Sequence, residues 1–502
     1  MFQKIFSELK KNDISFYCLL FILTVAVGGG FIFSVPLQIL CLFALLACFS
    51  FLFINKSFEN NGIFVVLLPL IAIAVSYLGA DFQTNVRTAS LGLLNAILAF
   101  FIVSYSDARN KENILITLII FAVWISFLLF VQALSSNSDS QNAMLLNVNI
   151  AAGFLLLVYP LCFSFVENNK RPLLFLSIAF FIFAAVIITK SRSAIIIAYL
   201  VSIFYFIRLR KNAAFKMFFA AISFFVLAGI IYAFKAKAGW QSFEDRLIWQ
   251  KTAVLMLKEN PIFGVGFGNF SAMFVYYRTE FVVNTLFAHN IIAQLLAEVG
   301  IFGFVCFFAA AFVFVKNAVV FLRENVNLAC SVCAASFIVL NLSDYSFFIP
   351  ANTIAFFIIC GIAFNAQTRL RDKKFTAASI IIAAAVLIYV FLNVLTAHNH
   401  FVKGDALHGE GKFKQAAKEY LQALKYDGKN ADYWYRLYEN GNAEKNYNGA
   451  INYLLNAEKY YRRSSQIKAE AAYLYKILGD EKNAAKYAKL AKEYDKFNPF
   501  YK

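Results

Sequence analysis

Three polar side chains in a largely apolar chain have types that could do chemistry together: Arg192, Arg246 and His289. A guanidinium group stays charged and can grip phosphate oxygens through two parallel hydrogen bonds, so two arginines suit a pyrophosphate group. An imidazole with an unperturbed pKa of about 6.5 can be neutral at pH 7 and accept a proton from a hydroxyl. The three residues therefore indicate chemistry on a phosphorylated lipid substrate.

Each of these residues also has a simpler structural interpretation. Arg192 lies in the short segment Lys190-Ser191-Arg192-Ser193, whose long basic side chains could instead extend to lipid head groups. His289 could be a packing or capping residue at the start of a helix. The residue types alone leave both alternatives open.

The longest polar interruption between apolar segments contains two of the three candidates, and it spans residues 246–303. Ser242, followed three residues later by an acidic residue, predicts a helix start, and Asn260-Pro261 predicts its end. Arg246 and Trp249 fall on one face of this helix, together with Gln250 and Ala253.

Three alternate glycines follow this helix, Gly264, Gly266 and Gly268. They mimic a nucleotide-binding loop, but no strand precedes them and no βαβ unit surrounds them, which argues against that function. Glycine accepts backbone conformations that other residues avoid. We therefore expect a tight turn whose backbone approaches a lipid or a neighbouring helix.

An apolar helix is predicted next over about 286–315, longer than a membrane span requires, with His289 at its outer mouth. Asn290, Gln294 and Glu298 recur every four residues and so form one polar stripe. Lipid would penalise that stripe. The sequence therefore predicts that it faces a water-filled cavity and supports the site.

Composition places the chain among multi-pass membrane proteins with an all-α fold. Of its 502 residues, 61% are hydrophobic, against about 45–50% in soluble domains. Apolar runs of spanning length recur thirteen times, near 14–33, 35–54, 62–79, 88–105, 113–134, 148–166, 172–188, 193–208, 214–234, 290–315, 327–343, 350–366 and 376–396. The fold class expected is a transmembrane helical bundle followed by a soluble helical domain.

Charge and cysteine content narrow the partners. The net charge of +17 comes mostly from span ends and the tail, which favours anionic lipids and phosphate-bearing substrates over nucleic acid. All eight cysteines lie in apolar segments, so we expect neither a disulfide framework nor a metal site, and no cofactor. Cys330 and Cys333 are read as small packing residues.

Basic residues alternate along the loops as the positive-inside rule requires when the N-terminus is cytoplasmic. In the short loops assigned to the outside, the basic residues are only Arg87, Lys190 and Arg192, whereas the inner loops are rich in lysine and arginine. This orientation places the loop over 235–288 and the tail outside the membrane. The expected domains are 1–396, a transmembrane domain of about thirteen spans, and 397–502, an extracytoplasmic helical domain.

The tail carries an internal repeat. Positions 34 residues apart hold the same residue type three times: Ala416, Ala450 and Ala484; Ala423, Ala457 and Ala491; Tyr426, Tyr460 and Tyr494. This spacing, with small residues where paired helices touch, resembles tetratricopeptide repeats. Such repeats usually bind peptides or partner proteins, so we expect a docking module for a protein partner. His398 and His400 lack nearby carboxylate or thiolate ligands and are not expected to bind a metal.

A longer sequence pattern joins the candidate residues. It reads Ser191-Arg192-Ser193-Ala194, then Arg246, Trp249, Pro261-x-x-Gly264-x-Gly266-x-x-x-Phe270 and His289-Asn290, followed by Gly300 and Gly303. This pattern resembles the O-antigen ligase and polymerase superfamily, and the resemblance covers roughly residues 14–366.

The resemblance implies a metal-independent, inverting membrane glycosyltransferase of the GT-C type in the bacterial inner membrane. In that family a glycan moves from an undecaprenyl-pyrophosphate carrier to an acceptor hydroxyl on the periplasmic face. Carried over by position, Arg192 and Arg246 would bind the pyrophosphate and His289 would activate or position the acceptor hydroxyl. The family's ligases often have twelve spans and no repeat tail, so this chain departs from them in both respects.

The sequence leaves the acceptor open. It could be lipid A core in a ligase, another glycan in a polymerase, or a protein hydroxyl, as in a protein O-oligosaccharyltransferase. A lipid-linked glycan flippase or transporter is the rival from another class, and it would predict charges near mid-span and interrupted helices. A membrane anchor that merely holds the tail would not need thirteen spans.

Overall fold

The computed structural model describes residues 14–27, 35–55, 61–80, 82–134, 147–168, 171–209, 213–235, 241–320, 324–364 and 373–501. Helices account for nearly all of these residues, and no strand occurs among them. The basic N-terminal residues Lys10 and Lys11 and most of the loop over 135–147 lie outside the described residues.

Sixteen helices run from the first described residue to the start of the tail. In chain order they are α1 (Ile14–Val27), α2 (Val35–Asn55), α3 (Asn61–Gly79), α4 (Gln83–Ser104), α5 (Ala108–Leu134), α6 (Val148–Val158), α7 (Leu161–Glu167), α8 (Pro172–Ile188), α9 (Arg192–Leu209), α10 (Ala213–Lys235), α11 (Gln241–Glu259), α12 (Phe270–Tyr277), α13 (Ile291–Val320), α14 (Asn325–Leu340), α15 (Pro350–Ala363) and α16 (Lys373–Gly409). Every one of the thirteen predicted apolar runs overlaps a helix in this series. The run near 148–166 is divided into α6 and α7 at Tyr159 and Pro160.

Several of these helices are long enough to cross a membrane. By length and composition, five helical segments within the described residues qualify, with α6 and α7 counted as one segment. The chain is therefore a multi-pass membrane protein, while the count of thirteen crossings stays a prediction.

The core of the bundle forms around α6, whose residues are apolar on all sides and almost completely buried from Ile150 to Val158. A helix of that composition is stable only when other helices surround it. Small residues allow close packing beside it: Gly361 of α15 lies so near α4 that an added Cβ would be 2.7 Å from the carbonyl oxygen of Phe100.

At one end of the bundle the loops predicted to be inner come together. Arg208 at the end of α9 donates to Glu167 at 2.6 Å, and Asn325 at the start of α14 donates to Asn168 at 3.0 Å. These contacts join three loops that the charge alternation assigns to the same side of the membrane.

The loops predicted to be outer meet at the opposite end. Ser193 and Ser343 lie with their hydroxyl oxygens 3.0 Å apart, and Arg278 pairs with Asp495 of the tail at 2.7 Å. These contacts between described residues agree with the predicted alternation, and the membrane topology as a whole stays a prediction. Which end faces the outside of the cell stays a prediction.

The tail is built from three helical hairpins, and the end of α16 is the first helix of the first hairpin. Its helices after α16 are α17 (Phe413–Tyr426), α18 (Ala431–Ala443), α19 (Tyr447–Tyr460), α20 (Ser465–Ile477) and α21 (Glu481–Tyr494). The starts of α17, α19 and α21 are 34 residues apart, and the repeated alanines Ala416, Ala450 and Ala484 are all buried. α16 runs unbroken from the last predicted span into the first hairpin, so the predicted domain boundary at 396 falls inside one helix.

Candidate functional site

His289 lies between two aromatic rings directly before α13. Its ring centroid is 4.5 Å from that of Trp249, with 32° between the planes, and 4.6 Å from that of Tyr345, which it meets edge to face. Its backbone is left-handed, with φ of 54°, which is uncommon for a residue other than glycine. That conformation ends the extended loop and turns the chain into α13.

The imidazole is neutral at physiological pH. Burial, and after it the positive charge of Arg246, lower the pKa of His289 to about 3. The sequence predicted a neutral imidazole from an unperturbed pKa of about 6.5. The surroundings make this histidine a much weaker base than that value implies, at least before an anion binds beside it.

Arg246 and Trp249 come from α11, where a spacing of three residues puts both side chains on one face. Three nitrogens in this neighbourhood are buried without a hydrogen-bond partner among the described residues: Nε of Arg246, Nε1 of Trp249 and Nδ1 of His289. Buried polar groups normally have partners. The nitrogens of Arg246 and Trp249 are hydrogen-bond donors, so oxygen atoms of an anion could accept from both.

A loop after α14 completes the site, and the sequence analysis did not identify it. Asp344 is 3% exposed, and its Oδ1 accepts hydrogen bonds from the backbone amides of Tyr345 and Ser346 at 2.6 and 3.0 Å. Burial raises the pKa of Asp344, against the lowering effects of the hydrogen bonds from Ser346 and Tyr345 and, last, of the charge of Arg246. Burial also raises the pKa of Tyr345 to about 12.

One signal in the sequence could have pointed to this loop. Asp344 is the sole charged residue in the chain from 325 to 368. A single charge between two apolar runs is costly unless it has a structural or functional use. Tyr345 offers no comparable signal, because an aromatic residue next to a span is common.

Arg192 is the first residue of α9 and is exposed, following Lys190, whose φ of 58° turns the chain. The next residue, Ser193, contacts Ser343 at 3.0 Å, and Ser343 precedes Asp344. The turn that carries Arg192 thus adjoins the loop that carries Tyr345. The structure brings Arg246 and His289 together and places Arg192 at the same end of the bundle.

The predicted polar stripe fixes the chain on both sides of His289. Asn290 caps α13 by accepting from the amides of Ile292 and Ala293, and its Nδ2 donates to the carbonyl of Leu342 at 3.0 Å. The side chain of Gln294 accepts from the amide of Ala288 at 2.6 Å. These bonds hold the residues before and after the imidazole.

The rest of the stripe corrects two expectations. Gln294 and Glu298 are each 1% exposed, and the carboxylate of Glu298 accepts from Gln294 at 2.8 Å and from the amide of Phe270 at 3.1 Å. The stripe is therefore satisfied by protein groups, and the predicted water-filled cavity along it was wrong. The predicted helix start near 286 was also wrong, because the left-handed conformation of His289 delays α13 to Ile291.

The glycine-rich turn packs into a break in α13. Gly264 and Gly300 have φ of 69° and 64°, and Gly300 interrupts the helical conformation of α13. The amide of Val265 donates to the carbonyl of Ala297 at 2.9 Å, across the break. A Cβ added to Gly300 would lie 2.3 Å from the carbonyl oxygen of Ile262. The predicted close approach of this turn to a neighbouring helix is confirmed.

Metal and thiol chemistry gain no support from the described part of the chain. Among those residues no group of three or more histidine, cysteine, aspartate or glutamate side chains could hold a metal ion. The eight cysteines are free thiols, and seven of them are buried. Cys330 and Cys333 both lie in α14 within the apolar core.

Comparison with known families gives this geometry a context. Residues 177–308 match the family model described as O-antigen ligase. The matched segment extends from within α8 into α13, so it contains Arg192, Arg246 and His289. The resemblance to the O-antigen ligase superfamily is thereby confirmed over residues 177–308, and the match supports a membrane glycosyltransferase of the O-antigen ligase and polymerase kind.

Comparison with whole proteins adds little. No curated protein matches the chain. Two solved structures with some similarity are the crystal structure of the APC/C hetero-tetramer Cut9–Hcn1, covering 82% of this chain and 75% of that one, and the crystal structure of yeast Tom70, covering 85% and 76%. Both are 12% identical with a TM-score of 0.20, a value too low to carry an argument about fold or function. The helical architecture rests on the structure described above.

Proposed function

We propose that this protein moves a glycan from an undecaprenyl-pyrophosphate carrier to a hydroxyl acceptor on the periplasmic face of a bacterial inner membrane. One observation carries the proposal. A guanidinium group, a buried neutral imidazole and two aromatic rings converge in and beside the segment that matches the O-antigen ligase model. The site lies at the end of the bundle that the charge alternation assigns to the outside.

The proposed reaction is a single displacement at the anomeric carbon of the donor sugar. The acceptor oxygen forms a bond to that carbon while the bond from the carbon to the pyrophosphate oxygen breaks. The electron pair leaves with the pyrophosphate, and the configuration at the anomeric carbon inverts. Arg246 and Arg192 would bind the pyrophosphate and stabilise the charge that grows on it. This division of roles requires neither a nucleotide nor a metal ion.

His289 would receive the acceptor proton or orient the acceptor hydroxyl. Its weak basicity has two causes, burial and the charge of Arg246. A pyrophosphate bound to Arg246 would offset the second cause, because a nearby anion favours the protonated imidazole. Donor binding would therefore raise the proton affinity of His289 at the stage when a base is needed.

The aromatic rings suggest where the sugar would lie. Trp249 and Tyr345 flank the imidazole on two sides. Tyr345 also stacks on Phe287, with 5.1 Å between the ring centroids. Large aromatic faces bury apolar surface, such as the C–H face of a sugar ring, at low entropic cost. We place the reacting sugar against these two rings, within reach of His289.

The test is a reconstituted transfer reaction. The purified protein, in lipid nanodiscs, would be incubated with undecaprenyl-pyrophosphate glycan and, in separate reactions, with lipid A core, a glycan or a hydroxyl-bearing peptide. We expect one acceptor to gain the mass of the glycan, and the productive acceptor would tell ligase, polymerase and protein glycosyltransferase apart. A parallel assay in closed vesicles tests the transporter alternative, which movement of the donor across the membrane with no product from any acceptor would establish.

A further inference from the structure

The repeat tail contacts the rest of the chain through the same position in each of its three hairpins. Asp427, Tyr461 and Asp495 are 34 residues apart, and each directly follows the second helix of its hairpin. All three side chains contact residues outside the tail. Repeats that share one backbone geometry present equivalent positions along one edge, and here that whole edge faces the bundle.

The third of these contacts is the most buried. Arg278 directly follows α12. Its Nη2 donates to Oδ1 and Oδ2 of Asp495 at 2.7 and 2.8 Å, and its Nε donates to Oδ1 at 3.1 Å. The two side chains are 4% and 3% exposed. A paired charge at this depth tolerates the loss of its partner poorly, because the remaining charge stays buried without compensation.

The other two contacts repeat the arrangement with different chemistry. Asp427 accepts two hydrogen bonds from Arg87 of α4, at 2.7 and 2.8 Å. Tyr461 donates its hydroxyl to the carbonyl of Ala272 in α12 at 2.6 Å, and its ring stacks on Phe82 at 4.8 Å. The tail is thus fixed at three points, and two of them bind α12 or the residue that follows it.

A fourth residue of the tail, Arg463, contacts the bundle near the end of α11. Arg463 of the tail donates to the hydroxyl of Tyr277, and its guanidinium carbon is 5.0 Å from the ring centroid of Tyr276. The Tyr277 hydroxyl in turn donates to Glu259 at 2.8 Å, and Asn260 donates to it at 3.1 Å. The tail therefore contacts α11 and α12 where the last residues of the two helices meet.

An apolar cluster connects these contacts to the candidate site. Tyr461 packs against an apolar cluster whose buried members include Phe274 of α12 and Met256 of α11. Trp249 packs against the same cluster, and Ala288, the residue before His289, is buried within it. A close-packed cluster transmits displacement rather than absorbing it, so a shift of α12 would move Trp249 relative to His289.

We propose that the docking partner of the tail is its own transferase domain, and that the tail is a positioning element for the site. By clamping α12 it holds α11 so that Trp249 and Arg246 stay against His289. The edge that carries Asp427, Tyr461 and Asp495 is used within the chain. The positioning role in catalysis rests on the proposed function. The clamp, meaning the contacts of the tail with α12 and with Arg278, does not depend on that function.

The test exchanges the charges of the buried pair in the full chain, kept in nanodiscs. Arg278→Asp and Asp495→Arg each place like charges together, and the double variant restores an opposite pair. We expect each single variant to speed amide hydrogen exchange in residues 270–288 by about tenfold or more, because local opening becomes easier. Glycan transfer should fall by at least a similar factor in kcat, and the double variant should recover both quantities.

A matched control and a milder variant keep the result interpretable. Glu493→Arg makes the same charge change as Asp495→Arg, at a side chain of α21 that is 51% exposed. We expect it to leave amide exchange in residues 270–288 and glycan transfer at wild-type values. If a single reversal prevents folding, Tyr461→Phe removes only the bond to Ala272 and should raise exchange in α12 moderately.

The outcomes separate the two proposals. Unchanged exchange in residues 270–288 in Asp495→Arg would overturn the clamp, and raised exchange with undiminished transfer would overturn the positioning role. Exchange needs no substrate. A wild-type protein that transfers no glycan, yet loses protection in the single variants and regains it in the double variant, would count against the proposed function and leave the clamp standing.

Discussion

The indole of Trp249 and the imidazole of His289 lie with their ring centroids 4.5 Å apart, although forty residues of chain separate them. This contact joins the helix that carries Arg246 to the loop that leads into α13. It also covers the imidazole, and that burial is the largest cause of its low pKa. The arrangement makes the histidine a neutral acceptor next to a permanent cation, and several consequences can be measured.

The first prediction concerns the imidazole itself. Asparagine tolerates left-handed backbone better than most residues, so His289→Asn should keep the φ of 54° while removing the ring. We expect glycan transfer to fall by about a hundredfold to ten-thousandfold, the usual contribution of a positioned proton acceptor. Product formation by equal amounts of purified protein would measure this.

The comparison with His289→Ala separates the chemistry from the backbone. Alanine also removes the ring, but it is strained at positive φ and should lower thermal stability in addition. Transfer at the wild-type rate by a folded His289→Asn protein would show that the imidazole takes no part in the reaction.

The second prediction concerns the geometry of the cation. Arg246→Lys keeps the charge but loses the planar fork that can hold two oxygens of a pyrophosphate at once. We expect kcat for transfer to drop by about a hundredfold or more, as when one donor that stabilises a transition state is removed. Arg246→Gln, which also loses the charge, should drop further.

Lys251→Gln offers the control on the same helix, since Lys251 is exposed on α11. It should retain wild-type kinetics. Equal activity in Arg246→Lys and wild type would mean that charge alone suffices and that no bidentate contact forms.

Much of the fold could be predicted because its signals are local. Each apolar run forms a helix where hydrophobicity alone requires one, and α11 ends at Glu259 because the residue before a proline avoids helical conformation. The 34-residue repeat was equally readable, since a small residue is needed wherever two helices of a hairpin touch. Arg246 and His289 were found because their residue types suit a pyrophosphate and a hydroxyl, and because His289 is the sole histidine before residue 398.

The parts that sequence could not supply depend on contacts between distant segments. Tyr345 reaches His289 across more than fifty residues, and its own residue type does not distinguish it from an ordinary interfacial tyrosine. The break at Gly300 appears only when the glycine-rich turn is seen inserted there. The face that the tail turns toward the bundle is set by Asp427, Tyr461 and Asp495, and the tyrosine at the second position hides the repeat.

The third prediction is the pH dependence of transfer. The pKa of His289 in the folded, unliganded protein is lowered to about 3, so the imidazole is neutral above that value and becomes charged only below it. Lowering the pH from 8 to about 5 should therefore not protonate it, and kcat/KM, which reports on the free enzyme, should show no limb from this residue near pH 6.5.

Arg246→Gln removes the second cause of the lowered pKa and leaves burial, the larger one, in place. The pKa of His289 should therefore rise in this variant and remain below its ordinary value. The residual activity of the variant, followed from pH 8 downward, should begin to fall at higher pH than in wild type. An acid limb near pH 6.5 in the wild-type protein would contradict the burial of the imidazole in the free enzyme.

The fourth prediction tests the inserted turn. Gly300→Ala would place a Cβ 2.3 Å from the carbonyl oxygen of Ile262, at a φ of 64°. Relief requires a shift of backbone, which would open the bond of 2.9 Å from the amide of Ile301 to the carbonyl of Pro261. We expect a loss of about 3 kcal/mol or more in stability, as for other strained or overpacked sites, with a lower melting temperature in nanodiscs.

Gly479→Ala is the matched control, because Gly479 has a similar φ of 75° and no atom within 4 Å of an added Cβ. It should cost only the conformational strain, about 1 kcal/mol. The difference between the two melting temperatures thus isolates the steric clash at the break in α13. Equal melting temperatures would show that the turn and the helix do not approach as closely as their backbone hydrogen bonds require.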